Sequence, residues 1–183
     1  MMRTFLASFG VLMIPFLTAG LAKAADLENM LFLDLKDGRV VIEMRPDLAP
    51  NHVARIKELV RQGFYDGVPF HRVISGFMAQ TGDPTGTGSG GSGQNLAAEF
   101  SDEPHVRGTV SMARAQHPDS ADSQFFIVYS KADYLDGKYT VWGQVTEGMR
   151  HVGKIKKGDE ARNGMVIEPD VIVKMQVAAD AKE

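Results

Sequence analysis

The sequence has no cysteine among its 183 residues. Disulfides, thiolate catalysis, iron–sulfur clusters and cysteine-ligated zinc are therefore excluded. Basic residues do not outnumber acidic ones, because 20 Lys and Arg stand against 23 Asp and Glu, which gives a formal net charge of -3. This balance argues against a dominant basic surface, so no nucleic-acid partner is predicted. With 44% hydrophobic and 23% charged residues, the composition is that of an ordinary globular domain.

Several short catalytic and ligand-binding motifs are also missing. The histidines show no HExxH or His-x-His spacing, and the two on predicted helices, His52 and His151, are expected to face solvent. Ser123 follows Asp122 but lacks the G-x-S-x-G turn of a hydrolase nucleophile. The stretch 86–91 matches G-x-G-x-x-G, yet no amphipathic helix follows it, which favours a surface loop over a nucleotide site. No metal and no cofactor are therefore predicted.

The first 24 residues have the pattern of a secretory signal peptide. Arg3 supplies a positive charge, an apolar run follows over 5–19, and Ala-Lys-Ala at 22–24 fits the small-x-small pattern before a cleavage point. We therefore predict a signal peptide over 1–24, a mature domain over 25–183 and a periplasmic location without stable membrane insertion. The alternative is an uncleaved membrane anchor, although Pro15 and Gly20 interrupt the apolar run and a span needs roughly 20 apolar residues.

The mature part of the chain begins with a predicted β-hairpin and an amphipathic helix. Apolar runs at 30–35 and 40–44 flank a turn that contains Asp37 and Gly38, a common hairpin signal. Pro50 is tolerated in the first turn of a helix. The apolar residues at 53, 56, 59 and 60 then lie on one helical face, and Gly63 is suited to end the helix.

Short β runs separated by glycine-rich connections dominate the rest of the chain. A second helix is predicted over 147–156, with Thr146 as its N-cap. Most connections between the β runs are too short for parallel crossovers. The sequence therefore predicts a mainly β fold, a closed eight-stranded antiparallel barrel capped by two α-helices. The predicted strands after the hairpin lie at 70–74, 77–80, 108–112, 124–129, 141–145 and 171–177.

Two of these segments combine apolar rings with polar side chains on one strand face. In the segment 70–80, Met78 and Gln80 share a face by the strand period of two, and Arg72 lies on an otherwise apolar strand. In the segment 123–128, Gln124 and Phe126 share a face. Such a mixture suits a shallow site for an extended peptide. The alternative is purely structural, with the arginine in a surface ion pair and the rings in the core.

The chain resembles the cyclophilins from about residue 31 to 177. The motifs that carry the resemblance are FHR at 70–72, GFMAQ at 76–80, GD at 82–83, GTVSMA at 108–113, SQFFI at 123–127 and LDGK at 135–138. Cyclophilins are peptidyl-prolyl cis–trans isomerases built on an eight-stranded antiparallel barrel with two capping helices. The resemblance implies the same fold and activity here, with proline-containing, unfolded or exported polypeptides as substrates and no cofactor. A monomer is the default expectation.

The resemblance also implies roles for single residues. Arg72 would be the catalytic arginine that stabilises the twisted prolyl amide. Gln80 would hold Arg72 and the substrate backbone, and Gln124 would be another backbone anchor. Ala113 and Arg114 resemble the segment that pairs with the peptide preceding the proline. The walls of the proline pocket would be Phe77, Met78, Phe126 and Leu135.

Three positions depart from the best-known members of the family. Tyr134 stands where many eukaryotic cyclophilins have Trp, Tyr139 where they have His, and Arg114 where they have Asn. Tyr134 and Tyr139 complete the predicted substrate-binding set. A second hypothesis is a proline-peptide-binding chaperone module that uses the same groove without required turnover. The presence of Arg72 and Gln80 favours catalysis.

Overall fold

The computed structural model describes residues 26–182, and the predicted signal peptide lies outside them. Eight strands form one antiparallel sheet. Their order across the sheet is β3-β4-β6-β5-β7-β2-β1-β8. The strands are β1 (Met30–Leu35), β2 (Gly38–Met44), β3 (Arg72–Ile74), β4 (Met78–Thr81), β5 (Thr109–Met112), β6 (Phe125–Val128), β7 (Val141–Glu147) and β8 (Lys174–Val177).

The sheet is strongly curled but is not closed by a ladder between its edge strands β3 and β8, so the predicted closed barrel is wrong in this respect. The outer edge of β3 is already occupied, because the backbone of Val73 bonds to Gly158 and Gly164. The segments that precede the two edge strands meet at the isolated bridge between Pro69 and Val171 and through a backbone hydrogen bond from Gly67 to Ile172 at 2.8 Å. The eight antiparallel strands themselves are confirmed.

One main helix packs on the core, α1 (Pro50–Arg61). Pro50 stands in its first turn, as predicted, and the apolar face of the helix is buried. Ala49 offers no side-chain cap, so two N–H groups at the start of the helix donate to a residue that is distant in the sequence. The carboxylate of Glu99 accepts from the N–H of Asn51 at 3.1 Å and of His52 at 3.0 Å.

The same carboxylate binds the ring Nδ1 of His52 at 2.7 Å. The expectation that His52 faces solvent is therefore wrong, since its side chain is fully buried, and His151 is half-buried rather than exposed. Burial alone would raise the pKa of Glu99, but the hydrogen bonds from His52 and Asn51 outweigh it and lower that pKa below its usual value. A helix cap and a buried imidazole thus depend on one acidic side chain.

The second predicted helix is much shorter than 147–156. The strand β7 continues through Glu147, and α2 covers only Met149–Val152. Gly148 between them has φ 84°, and a Cβ at this position would collide with the carbonyl oxygen of Arg39. This position therefore requires glycine, and its left-handed conformation ends β7 before the single turn of α2 begins. Four 3-10 turns lie at Pro118–Ser120, Asp133–Leu135, Glu160–Arg162 and Ala178–Asp180, and residues 26–28 are also helical.

The buried apolar residues form two hydrophobic clusters. The larger one lies between the concave side of the sheet and α1, and it includes Phe125 and Trp142, whose rings meet edge to face at 5.4 Å. The smaller one lies on the other side of β4 and β6, around Met78, Phe126 and Leu135. No helix within residues 26–182 is both long enough and apolar enough to cross a membrane.

Candidate active site

The strands β3, β4, β6 and β5 bring one row of polar and aromatic side chains together. The strand register pairs Arg72 with Gln80, Gln80 with Phe126, and Phe126 with Ser111. Residues that face each other across a ladder share a side of the sheet. The period of two then directs the neighbours of this row, such as Val73 and Phe125, into the larger cluster. The predicted division of each segment into two faces is confirmed.

The apolar part of the site surrounds the smaller cluster. Met78 is 1% exposed and Phe126 is 5% exposed, and both pack with Leu135 from the 3-10 turn. Tyr139 meets the ring of Phe126 edge to face at 5.9 Å. Phe77 also packs against the cluster from the turn between β3 and β4. These side chains form an apolar notch beside the polar row.

Tyr134 forms the outer rim of this notch. Its side chain is 58% exposed, and its ring lies 5.7 Å from that of Phe77. Tyr134 belongs to the 3-10 turn Asp133–Leu135, in which the side chain of Leu135 is buried and that of Tyr134 is exposed. A ring in this place can cover a bound peptide without blocking entry.

Arg72 is fixed on three sides by neutral acceptors. Its Nη1 donates to Oε1 of Gln80 at 3.0 Å, its Nη2 to Oδ1 of Asn163 at 3.0 Å, and its Nε to the carbonyl of Asn163 at 3.0 Å. A guanidinium carries five N–H groups, so one on each Nη atom remains available. Burial lowers the pKa of Arg72 from its usual value, with smaller opposing contributions from Tyr139 and Tyr134, yet such a group stays charged at neutral pH.

A chain of amides continues from Arg72 to the glycine-rich loop. Nε2 of Gln80 donates to Oε1 of Gln124 at 2.9 Å. Nε2 of Gln124 donates in turn to the carbonyls of Gly88 at 3.0 Å and Gly90 at 2.8 Å. The Nε2 group of each amide donates to the next acceptor in this chain of hydrogen bonds. The orientation of Gln80 toward Arg72 is therefore fixed by the whole chain.

The glycine-rich loop is organised by Asp83. Its carboxylate accepts from the backbone N–H groups of Thr85 at 2.7 Å, Gly88 at 2.7 Å and Gly90 at 3.1 Å, and from the hydroxyl of Thr85 at 2.8 Å. Burial alone would raise the pKa of Asp83, but these hydrogen bonds outweigh it and bring the pKa to about 2. The stretch 86–91 is thus a hydrogen-bonded surface loop that borders the site, in agreement with the sequence prediction.

All these elements border one groove of about 870 Å³. Ten of the eleven predicted site residues line it: Arg72, Phe77, Met78, Gln80, Ala113, Arg114, Phe126, Tyr134, Leu135 and Tyr139. The eleventh, Gln124, lines an adjoining smaller cavity of about 430 Å³, which shares Gln80, Ala113 and Arg114 with the groove. The structure therefore brings the predicted set together at one place.

Sequence reasoning did not assign eight residues of the groove: His71, Gly86, Thr87, Gly88, Arg162, Asn163, Met165 and Val166. The buried ring of His71 lines the same groove as the side chain of its neighbour Arg72, and burial lowers the pKa of His71. Asn163 has φ 55° and is followed by Gly164 at φ 79°. The Asn-Gly pair is a turn signal in the sequence, but nothing local indicates that this turn packs against β3.

A Ser-His-Asp arrangement lies directly behind the apolar notch. The ring of His105 bonds to Asp136 at 2.8 Å through Nδ1 and to the hydroxyl of Ser111 at 3.1 Å through Nε2, and it stacks on Phe126 at 6.2 Å. Ser111 and His105 are fully buried, and the hydroxyl of Ser111 donates to the carbonyl of Thr140 at 2.9 Å. Without access to a substrate, this triad supports the notch and has no hydrolytic use.

Metal-binding clusters of three or more His, Asp or Glu side chains are absent from residues 26–182. The groove offers a fixed cation, an apolar notch and the amide side chain of Gln80. These features suit a peptide that is held without covalent chemistry.

Comparison with known proteins assigns this arrangement to a family. The family model described as cyclophilin type peptidyl-prolyl cis-trans isomerase/CLD matches residues 30–177. The probable peptidyl-prolyl cis-trans isomerase of Brucella suis biovar 1 (strain 1330) is 57% identical over 173 residues, which cover 88% of each chain. Peptidyl-prolyl cis-trans isomerase B of Bacillus subtilis (strain 168) is 44% identical over 128 residues, 68% of this chain and 89% of that protein.

Solved structures give the same result. The cyclophilin AquaCyp293 from Hirschia baltica superposes with a TM-score of 0.76 at 27% identity, covering 92% of this chain and 83% of that chain. A cyclophilin type isomerase of Cryptosporidium parvum, crystallised in the presence of the dipeptide Ala-Pro, gives 0.74 at 29% identity, covering 81% and 98%. With the groove geometry, the family model and these relatives in agreement, the chain belongs to the cyclophilin family and is a peptidyl-prolyl cis–trans isomerase.

Proposed function

We propose that Arg72 accelerates X–Pro rotation by donating a hydrogen bond to the prolyl nitrogen in the twisted amide. In the planar amide the nitrogen lone pair is delocalised into the carbonyl group, and rotation about the C–N bond localises it. A guanidinium that donates to this lone pair therefore binds the transition state better than the ground state, which is the condition for a higher turnover. The observation that carries the proposal is the Arg72 guanidinium, which is held on three sides and keeps two N–H groups beside the notch.

The notch beside Arg72 would hold the proline ring. Met78, Phe126 and Leu135 supply buried apolar surface without charge, which suits a pyrrolidine ring. Phe77 lines the same groove. A ring held here would be fixed while the preceding carbonyl rotates, so that only one side of the bond has to move.

The polar groups around the notch would hold the peptide backbone. Ala113 lies just after β5 and lines the groove, and its N–H already donates to the carbonyl of Gln124 at 2.9 Å. Gln80 and Gln124 supply amide groups of the kind that bind peptide carbonyls and N–H groups. The presence of Ala-Pro with the crystallised Cryptosporidium parvum isomerase is consistent with a groove that takes a short proline segment.

The energetics require more than Arg72. Uncatalysed rotation has a barrier near 20 kcal/mol, and an acceleration on the order of 10⁶ requires about 8 kcal/mol. One hydrogen bond from a charged donor contributes roughly 1.5–3 kcal/mol. The rest would come from the fixed ring, the anchored backbone and the preorganised dipoles of the groove. No nucleophile or general base is needed, because no covalent bond is made or broken.

We also propose that the substrates are exported polypeptides in the periplasm. Support comes from the sequence alone, through the charged start, the apolar run and the small residues at 22–24. N-terminal sequencing of the protein from the periplasmic fraction should give Ala25 as the first residue. An intact N-terminus in the membrane fraction would instead favour the uncleaved anchor.

Exchange measurements by NMR distinguish catalysis by Arg72 from simple peptide binding. A peptide with one X–Pro bond is mixed with a small amount of protein, and exchange between its cis and trans signals is measured. The wild-type protein should accelerate exchange strongly, and Arg72→Ala should lose most of this acceleration while still binding the peptide. Slow exchange in the presence of bound wild-type protein would support the binding module, and full acceleration by Arg72→Ala would refute the assigned role.

A further inference from the structure

The groove is positively charged although the protein as a whole is negative. Its lining includes three arginines, Arg72, Arg114 and Arg162, and none of the described residues that line it is Asp or Glu. The whole chain has a formal net charge of -3. The charge of the groove is therefore a local property that composition does not predict.

The three groove arginines differ from most other arginines in their partners. Arg39, Arg45, Arg55 and Arg61 each pair with a carboxylate at 2.7–2.9 Å. Within residues 26–182, no carboxylate oxygen lies within 4.0 Å of a guanidinium nitrogen of Arg72, Arg114 or Arg162. The acceptors around them are neutral, so their charge is not compensated by direct pairing.

Arg162 has the most unused hydrogen-bonding capacity. Its Nη2 contacts the sulfur of Met165 at 3.0 Å, and no other hydrogen bond of its side chain is formed within the described residues. Arg162 is exposed, so its other N–H groups are open to a ligand. A guanidinium in this condition can bind a carboxylate through two parallel hydrogen bonds.

Arg114 contributes charge more than free donors. Its Nε and Nη2 donate to the carbonyl of Lys138, and its Nη1 donates to the carbonyls of Ala115 and Gln116. The guanidinium carbon lies 4.6 Å from the ring centre of Tyr139, which fixes it over the groove. One N–H group on Nη2 is left, so Arg114 attracts an anion mainly through its charge.

The two arginines stand at different ends of the polar row. Arg162 belongs to the segment that bonds to the outer edge of β3, where Met165 bridges to Arg72. Arg114 follows β5, which is separated from β3 by β4 and β6. A peptide that crosses Arg72 along this row would pass both of them.

A carboxylate borders the adjoining smaller cavity, but it is already engaged. Asp122 lines that cavity together with Arg114. Its two oxygens accept hydrogen bonds from the hydroxyl of Ser92 and from the N–H of Gly93, the latter at 2.8 Å. Asp122 therefore holds the loop and does not pair directly with Arg114.

We propose that the groove selects proline segments that carry acidic side chains on either side of the proline, with Arg162 as the principal carboxylate-binding residue and Arg114 as the second. This inference rests on the proposed function, because it assigns a substrate class to the same groove. Binding of an acidic segment brings its carboxylates to guanidinium groups that have no carboxylate partner among residues 26–182. A neutral segment of the same shape lacks this attraction.

The test compares two blocked peptides that differ only in charge, acetyl-Ala-Glu-Ala-Pro-Ala-Glu-Ala-amide and its Gln counterpart. Both are assayed by NMR for exchange and for Kd, with the wild-type protein and with Arg162→Gln, Arg114→Gln and Arg150→Gln. Arg150 is the matched control, since it also lacks a carboxylate partner in the described part of the chain but does not line the groove. For each protein, two ratios are measured: the accelerated exchange rate of the Glu peptide divided by that of the Gln peptide, and the Kd of the Gln peptide divided by that of the Glu peptide. A general loss of activity in one variant affects both peptides and leaves these ratios unchanged.

The wild-type protein should prefer the Glu peptide by about fivefold or more at low salt, since each exposed ion pair is worth about a two- to fivefold effect. Arg162→Gln should reduce the ratio most, Arg114→Gln less, and Arg150→Gln hardly at all. The ratio should approach one in about 1 M NaCl, where the screening length is about 3 Å.

A ratio near one for the wild-type protein at low salt would overturn the proposal, and so would an equal reduction by Arg150→Gln. If neither peptide showed accelerated exchange, the proposed catalytic function would fail separately. The Kd ratio would still decide the preference for acidic segments.

Discussion

The two faces of β3, β4, β6 and β5 are built from alternating residues of the same short segments, and they have opposite properties. The concave face carries Val73, Ala79 and Phe125, all of them fully buried in the main core. The opposite face carries Arg72 and Gln80, which are bonded to each other and half-buried. The concave face stabilises the fold through close packing, whereas the groove face places hydrogen-bond donors where a peptide can reach them.

Phe125 and Phe126 give the sharpest test of this difference, because they are neighbours in the chain. Phe125→Ala should lower the free energy of unfolding by about 3–5 kcal/mol, since it leaves a cavity in the core. Phe126→Ala should cost less stability than Phe125→Ala, because its space opens to the groove, but it should raise KM. Urea unfolding and an isomerase assay on both variants measure the two effects. Equal losses of stability would contradict the division into two faces.

Arg72 is the corresponding test on the groove face. Arg72→Ala should reduce kcat/KM by roughly 10- to 150-fold, which corresponds to the loss of a charge-assisted hydrogen bond. Its acceptors are neutral and border the groove, so the melting temperature should change little. Arg72→Lys should also be impaired, because an ammonium group lacks the planar fork that Gln80 and Asn163 hold. Full activity of the lysine variant would show that charge alone is sufficient.

Acid should affect the rim of the groove before the core. The pKa of Asp83 is about 2 in the folded protein and 3.8 in its ordinary state. Its contribution to stability is therefore complete above about pH 4 and is lost as the pH falls toward 2. The loss should be at most about 2 kcal/mol. Thermal unfolding from pH 6 to pH 2 should show a smaller acid-dependent change for Asp83→Asn than for the wild-type protein, and identical curves would contradict this role.

Of the four predictions, the substitution of Asn163 should have the smallest effect. Asn163→Gly keeps the backbone conformation at φ 55° and removes only the acceptor for Nη2 of Arg72. We expect kcat to fall about two- to tenfold with little change in KM, because Arg72 is less well positioned while the binding surface remains. Asn163→Asp retains an acceptor oxygen and should recover most of the rate. A change confined to KM would instead indicate contact with the substrate.

The sequence predicted the local elements well because their signals are local. The hairpin β1–β2, the start of α1 at Pro50 and the two faces of β4 and β6 all follow from spacing and turn residues. The predicted length of α2 was wrong, because the start of this helix depends on a contact with a residue that is distant in the sequence. Gly148 ends β7 in a left-handed conformation at its close approach to Arg39, and no periodicity in the sequence indicates such a contact.

The candidate site was predicted in a similar, partial way. The position of each side chain on its strand came from the period of two, and the family motifs supplied the roles assigned to Arg72 and Gln80. Asn163 and Arg162 were missed because they reach the groove through packing between distant segments. His71 directly precedes Arg72, and the strand period of two would place it on the opposite face. The prediction that His52 faces solvent was also wrong. Its imidazole is buried at the start of α1 with a hydrogen bond to Glu99, which is distant in the sequence.

The sequence by itself determined which residues alternate between core and groove, because the geometry of a strand repeats every two residues whatever surrounds it. It also excluded thiol chemistry, because the chain has no cysteine. Only the tertiary structure decided that the outer edge of β3 pairs with the segment 158–166 instead of closing a barrel with β8. The same pairing decided that Asn163 holds Arg72 and that Arg162 stands in the groove, because contacts between residues 91 positions apart depend on how the whole chain packs.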